Sequence, residues 1–150
     1  MKKKMNLRSL LALLVATVSM TLFASCDKDS FIDTAQLPAE AQTFIDTYFA
    51  SSKVVTVMKE GTGLWAEFDV NLADGTSLTF DHKGEWTDVD CGLAAVPAGI
   101  VPEQIASKVA ELYPSQFITD IDRDFEGYEV ELNNGVDLSF NKKFVLKEVD

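Results

Sequence analysis

Residues 37–90 and 101–150 of this chain carry one pattern twice, and any fold must satisfy both copies at once. Leu37-Pro38 corresponds to Val101-Pro102, and the run Phe68-Asp-Val-Asn-Leu-Ala-Asp-Gly-Thr-Ser-Leu-Thr-Phe80 corresponds to Tyr128-Glu-Val-Glu-Leu-Asn-Asn-Gly-Val-Asp-Leu-Ser-Phe140. Both copies end in Val-Asp, at Val89-Asp90 and Val149-Asp150. The first copy carries about four extra residues around Gly61 to Leu64, placed in a hairpin loop because loop tips tolerate insertions. Cys91 to Gly99 joins the copies.

Each copy opens on a helix. Pro38 and Pro102 suit a first helical turn, and Ala41, Phe44, Ile45, Tyr48 and Phe49 recur at the spacing of one apolar stripe. Ile105, Val109, Leu112 and Tyr113 repeat that stripe, and Pro114 stops it. Turn signals at Asp74-Gly75, Lys83-Gly84 and Asn134-Gly135 then divide each copy into four short antiparallel strands. The expected strands are 53–59, 64–72, 77–81 and 85–89, then 117–122, 128–132, 136–140 and 144–149. In the second of these, Leu64, Ala66, Phe68, Val70 and Leu72 point one way, and Trp65, Glu67, Asp69 and Asn71 the other. In the second copy Tyr128, Val130, Leu132, Leu138 and Phe140 face inward, with Glu129, Glu131, Asp137 and Ser139 outward. A unit of about 50 residues rarely buries enough apolar surface to stand alone. The expectation is therefore an α+β fold in which tandem α-β-β-β-β repeats share one antiparallel sheet of about eight strands. Two helices cover one face, and the other stays open and acidic.

The first 25 residues set where such a domain resides. Lys2, Lys3, Lys4 and Arg8 precede an apolar run from Leu10 to Phe23, followed by Ala24-Ser25-Cys26. This is the order of a lipoprotein signal peptide, residues 1–25, with Cys26 as the lipidated residue. Simple cleavage and secretion is the alternative, since Ser25 is less usual at that place than Gly or Ala. The run falls short of the about 20 apolar residues of a membrane span. Residues 26–36 read as a tether, and Asp27-Lys28-Asp29 as either a plain solvated linker or a signal sorting the lipoprotein to the outer membrane or cell surface. Loss of residues 1–25 removes four of 13 cations and none of 24 acids, which leaves 9 against 24 and a formal charge of −15. A field of that sign excludes nucleic acid as a partner and favours a basic protein or a cation. Cys91 then has no intramolecular partner and is expected to be buried as a small hydrophobe.

The paired Leu-Pro helix starts and the Asn/Asp-Gly turn followed by Leu-Thr-Phe-Asp-His-Lys-Gly-Glu-Trp resemble the PepSY-like, beta-lactamase-inhibitor-like secreted proteins of Bacteroides-type bacteria. The resemblance spans residues 37–150. It implies a tandem fold similar to that of beta-lactamase inhibitor protein, in which a concave open sheet grips an enzyme. It carries over no binding or catalytic residue, and fold alone does not license function.

Reactive chemistry is poorly represented. His82 is the only histidine, it falls in a turn, and no nucleophile elbow or Cys-His motif accompanies it. One histidine and one thiol do not supply a zinc site. Asp120, Asp122, Asp124 and Glu126 alternate, and Glu131 stands twelfth from Asp120, as in a calcium loop. Phe125 nevertheless occupies the position where that loop needs glycine, and strands rather than helices flank it. A hairpin with outward acids fits the spacing better. No catalytic residue, metal site or cofactor is expected.

The reading is a membrane-anchored, non-enzymatic protein-binding module of the bacterial envelope, facing periplasm or cell surface. Its partner is expected to be an envelope protein with a basic surface, and inhibition of a hydrolase or peptidase is one role open to it. The expected contact residues are Trp65, Glu67, Asp69, Phe125, Glu129 and Glu131, because aromatics among acids make binding anchors. Each aromatic is alternatively folded over its own hairpin end. A ligand or cation sensor and a structural part of an envelope complex are the other classes.

Overall fold

The computed structural model describes residues 29–150; the segment read as a signal peptide, and Cys26, lie outside the described residues. The described residues form one open antiparallel sheet of nine strands in strictly sequential order, with two helices. The strands are β1 (Ser30–Phe31), β2 (Val54–Glu60), β3 (Glu67–Leu72), β4 (Ser77–Phe80), β5 (Trp86–Asp90), β6 (Ile118–Arg123), β7 (Gly127–Leu132), β8 (Asp137–Asn141) and β9 (Leu146–Val149). Helix α1 (Ala39–Tyr48) precedes β2, and α2 (Glu103–Leu112) separates β5 from β6. The fold is thus α+β, with nine strands where about eight were expected. The ninth is β1, which lies inside the segment read as a tether and pairs Ser30 with Lys59 and Phe31 with Met58. Asp33 then caps a 3-10 turn at Thr34–Gln36 through a reciprocal capping box with Gln36.

Both expected helices form, and each starts directly after its proline, which takes the N-cap rather than a place in the first turn. Ala41 and Ile45 of α1, Phe49 beyond it, and Ile105 and Val109 of α2 are buried in a single core. The sheet contributes Phe68, Val70, Leu78, Phe80, Val89, Ile121, Val130, Leu132, Leu138 and Phe140 from the same side. Phe44 links the layers edge-on to Phe80, ring centroids 5.6 Å apart. Leu112, assigned to the stripe of the second helix, is instead exposed near its end.

One other stretch departs from expectation. The strand expected over 64–72 begins at Glu67, because Gly61 and Gly63 take left-handed φ of 66° and 61° and turn the chain into a 3-10 segment, Gly63–Trp65. Leu64 is consequently not inward but 75% exposed. Trp86 joins the core side, 6.5 Å from Phe44 between ring centroids, where a register shift at Phe80↔Trp86 redirects it.

Candidate functional site

The side of the sheet turned away from the helices is built from the residues that alternate with the core. Cross-strand register aligns them in rows. One row runs Met58, Asp69, Thr79, Asp88, Asp122, Glu129, Ser139 and Glu148; the next runs Thr56, Asn71, Ser77, Asp90, Asp120, Glu131 and Asp137. Among the described residues no lysine, arginine or histidine holds a place in either row. The acids concentrate toward β5–β8, where Asp120, Asp122, Asp124, Glu129, Glu131 and Glu148 line a shallow concavity of about 760 Å³ together with Lys147.

Of the expected contact residues, Glu67, Asp69, Glu129 and Glu131 occupy this face. Asp69 is half-buried and accepts from the Thr79 hydroxyl at 3.0 Å; burial raises its carboxyl above the ordinary range and that hydrogen bond partly offsets the rise. Trp65 and Phe125 are not on the strand face. Trp65 sits in the β2–β3 loop and Phe125 in the β6–β7 loop, 88% and 77% exposed. In a sequentially ordered antiparallel sheet these two loops fall at the same end, four strand spacings or about 19 Å apart. The structure therefore brings together an acidic face and, along one rim, two exposed aromatics with Leu64 beside Trp65. Neither ring folds back over its hairpin.

The sequence did not single out the centre of this face. Asp88 and Asp120 are diagonal neighbours across β5–β6, set opposite Asp122 and Asp90 respectively, with their carboxyls interacting; the Oδ1 atom of each is buried with no hydrogen-bond partner. Burial first, then neighbouring carboxylates, push Asp88 up to about 7 and Asp120 higher still. On the opposite side of the same strand pair, Arg123 lies 4.1 Å above the Trp86 ring, donates from Nε to the Trp86 carbonyl at 2.6 Å, and places Nη2 3.9 Å from Glu85.

The sequence's reactive candidates are not assembled into a site. His82 precedes β5 and buried Cys91 follows it, so the five residues of that strand, about 17 Å, keep them apart. Burial pushes the Cys91 thiol up to about 11. Residues 120–131 are the β6–β7 hairpin, in which Asp124 Oδ1 accepts from its own loop's Glu126 and Gly127 N–H groups at 2.7 and 3.1 Å. Among the described residues no group of three or more His, Cys, Asp or Glu is arranged to hold a metal ion. Among them, too, no helix is long and apolar enough to cross a membrane.

The profile of a family described as "Putative beta-lactamase-inhibitor-like, PepSY-like" matches residues 66–148. A crystal structure from Bacteroides vulgatus ATCC 8482, described as a "putative periplasmic protein from DUF2874 family", is 40% identical; the match covers 84% of this chain and 99% of that one, with a TM-score of 0.79. A Bacteroides thetaiotaomicron structure, a "putative calcium-regulated periplasmic protein", is 38% identical over 81% of this chain and 96% of its own, TM-score 0.78. Another B. vulgatus ATCC 8482 periplasmic protein, of unknown function, is 31% identical over 81% and 98%, TM-score 0.78. Nothing matches among curated proteins. Extending over nearly the whole of three periplasmic relatives, and sharing their fold, this chain belongs to the PepSY-like, beta-lactamase-inhibitor-like family.

Proposed function

We propose that the mature protein is a lipid-anchored, non-enzymatic binding module of the bacterial envelope, held at Cys26 in the outer membrane. Its acidic open sheet face and aromatic rim engage a basic protein, with inhibition of a hydrolase or peptidase as the role in view. The observation that carries this reading is that acids, and no cation, provide the charge in the two open-face rows beside Trp65 and Phe125. Like-signed charge on one surface gathers an oppositely charged partner at long range, and exposed aromatics at its edge supply the desolvated anchors that such attraction lacks. We also read residues 37–90 and 101–150 as one duplicated unit, with residues 26–36 linking them to the lipid.

The test is affinity capture from detergent-solubilised envelope with the lipidated protein beside a Trp65→Ala, Glu67→Lys, Glu129→Lys variant of equal stability. A basic protein retained by the first, lost by the second and released by salt above about 0.5 M, where the screening length is well under its value of about 8 Å in physiological salt, supports the reading. Equal recovery by both baits refutes the open face as the interface. A hydrolase recovered in this way is then assayed for inhibition.

A relative described as calcium-regulated favours a second reading, a cation-responsive face. Titration calorimetry with calcium against magnesium tests it: saturable heat with calcium alone supports it, and none at millimolar calcium removes it.

A further inference from the structure

Within the sheet the first five strands join the last four at β5–β6, by three register pairs, Asp88↔Asp122, Val89↔Ile121 and Asp90↔Asp120, with backbone bonds from Cys91 to Thr119 and from Val96 to Ile118 continuing the seam. The middle pair is fully buried on the core side. The outer two place four aspartates on the open side of a single joint. Like charges directly opposite on neighbouring strands destabilise a sheet, and the charged groups that bear on Asp88 and Asp120 are all carboxylates. Asp88 is faced by Asp69 from β3, by the Thr79 hydroxyl from β4, by Asp90 on its own strand and by Asp120 and Asp122 from β6. Asp120 is faced by Asp88 and Asp90 from β5, by Asp122 on its own strand and by Glu131 from β7. Arg123, the joint's one cation, is on the other side of the sheet with Trp86.

Asp88 and Asp120 are part-buried residues, but the Oδ1 of each is shut off from water with no donor in reach; two full charges so placed are strongly disfavoured, because an unpaired buried charge is among the costliest features a protein can carry. A proton on one carboxyl both removes a charge and supplies the missing donor.

We propose that Asp88 and Asp120 share a proton across β5–β6 and that this proton is a structural part of the joint, so that the firmness with which the two parts of the sheet are held is set by pH. The direction is opposite to ordinary acid denaturation. Both carboxyls are displaced upward on folding, so their contribution is fully present below the usual aspartate range, declines as pH rises through neutrality, and is lost in alkali. Loss of the proton loosens the joint while adding charge at the centre of the open face. The inference does not depend on what that face binds.

The test is urea unfolding followed by Trp86 fluorescence from pH 5 to pH 8.5, with chelator present, for the wild type and for Asp88→Asn, Asp120→Asn and the double variant. Asparagine is the neutral isostere of the protonated acid. The unfolding equilibrium constant of the wild type is expected to rise at least about tenfold across this range, and that of the double variant to stay level relative to it. Wild-type stability that is flat or increases with pH, or a slope that survives in the double variant, overturns the proposal. Carboxyl-carbon NMR of the unmodified protein reads the same proton without any substitution. An aspartate titrating above pH 6 supports the proposal; none doing so overturns it.

Discussion

Gly127 offers the cleanest check of the strand register. It opens β7 with φ of 157° and pairs with Asn141 at the end of the β7–β8 ladder. A methyl group placed there would overlap the Phe140 carbonyl oxygen and stand 2.8 Å from Asn141 Cα, where carbon atoms prefer about 3.5–4.0 Å. Both obstacles are backbone, so the neighbouring strand has to move away and the pairing at that end is lost. Two ladder hydrogen bonds at about 1 kcal/mol each, with about 1–2 kcal/mol for holding alanine in a glycine-like backbone state, give a loss of about 3–4 kcal/mol for Gly127→Ala. Gly75→Ala is the control: φ is +93°, but the new methyl meets nothing within 4 Å, so the cost is the conformational part alone, about 1–2 kcal/mol. Urea unfolding of both variants, read from Trp86, measures the difference. At an m-value of about 2 kcal/mol/M, Gly127→Ala is expected to unfold about 1 M below Gly75→Ala. Equal midpoints would show that this end of β7–β8 carries no stability and that the steric reasoning fails.

Three further outcomes follow from the packing. Arg123→Ala removes both the guanidinium over Trp86 and its 2.6 Å hydrogen bond; a loss of about 1–2 kcal/mol is expected, with a changed Trp86 emission, and Arg123→Lys is not expected to restore either, since lysine lacks the planar group. Cys91 is buried with a thiol pushed up to about 11, so thiol reagents at neutral pH are expected to react only as the protein unfolds, the labelling midpoint coinciding with the urea midpoint; rapid labelling of native protein would contradict its placement. Phe144 is the one non-glycine with positive φ among the described residues, at 60°, and its ring packs against Tyr128, centroids 5.4 Å apart and planes tilted by 38°. Phe144→Ala loses the ring and keeps the strain, whereas Phe144→Gly loses the ring and relieves it. Alanine is therefore expected to be the less stable by about 1 kcal/mol on thermal melting.

Most of the fold is legible because its signals are local. The spacing of Ala41, Ile45 and Phe49 marks a helix face within three turns, and the alternation from Phe68 to Leu72 marks a half-buried strand within five residues. Asp74-Gly75 and Asn134-Gly135 mark the turns without reference to anything distant. Two residues, Ser30 and Phe31, are too few to show a period, so β1 is invisible until its partner Met58 is in place. Leu64 misleads because its alternation with Ala66 continues past the point where Gly61 and Gly63 bend the chain. The acidic face is readable from Glu129 and Glu131, yet its centre is not. Asp88 and Asp120 stand on strands separated by α2, and only the register of β5 on β6 decides that they meet.

The strictly sequential strand order bears on how the molecule comes to be assembled. Every strand from β2 onward lays itself against the one before it in the chain, so no slot in the sheet waits for a segment that arrives later. Only β1–β2 and β5–β6 require a helix to be spanned before pairing; every other contact closes across a short turn, the kind of topology in which little chain entropy is lost before a contact is made. A polypeptide with this order can fold progressively from its amino end as it is threaded through a pore, with the growing edge as the template for each strand that emerges.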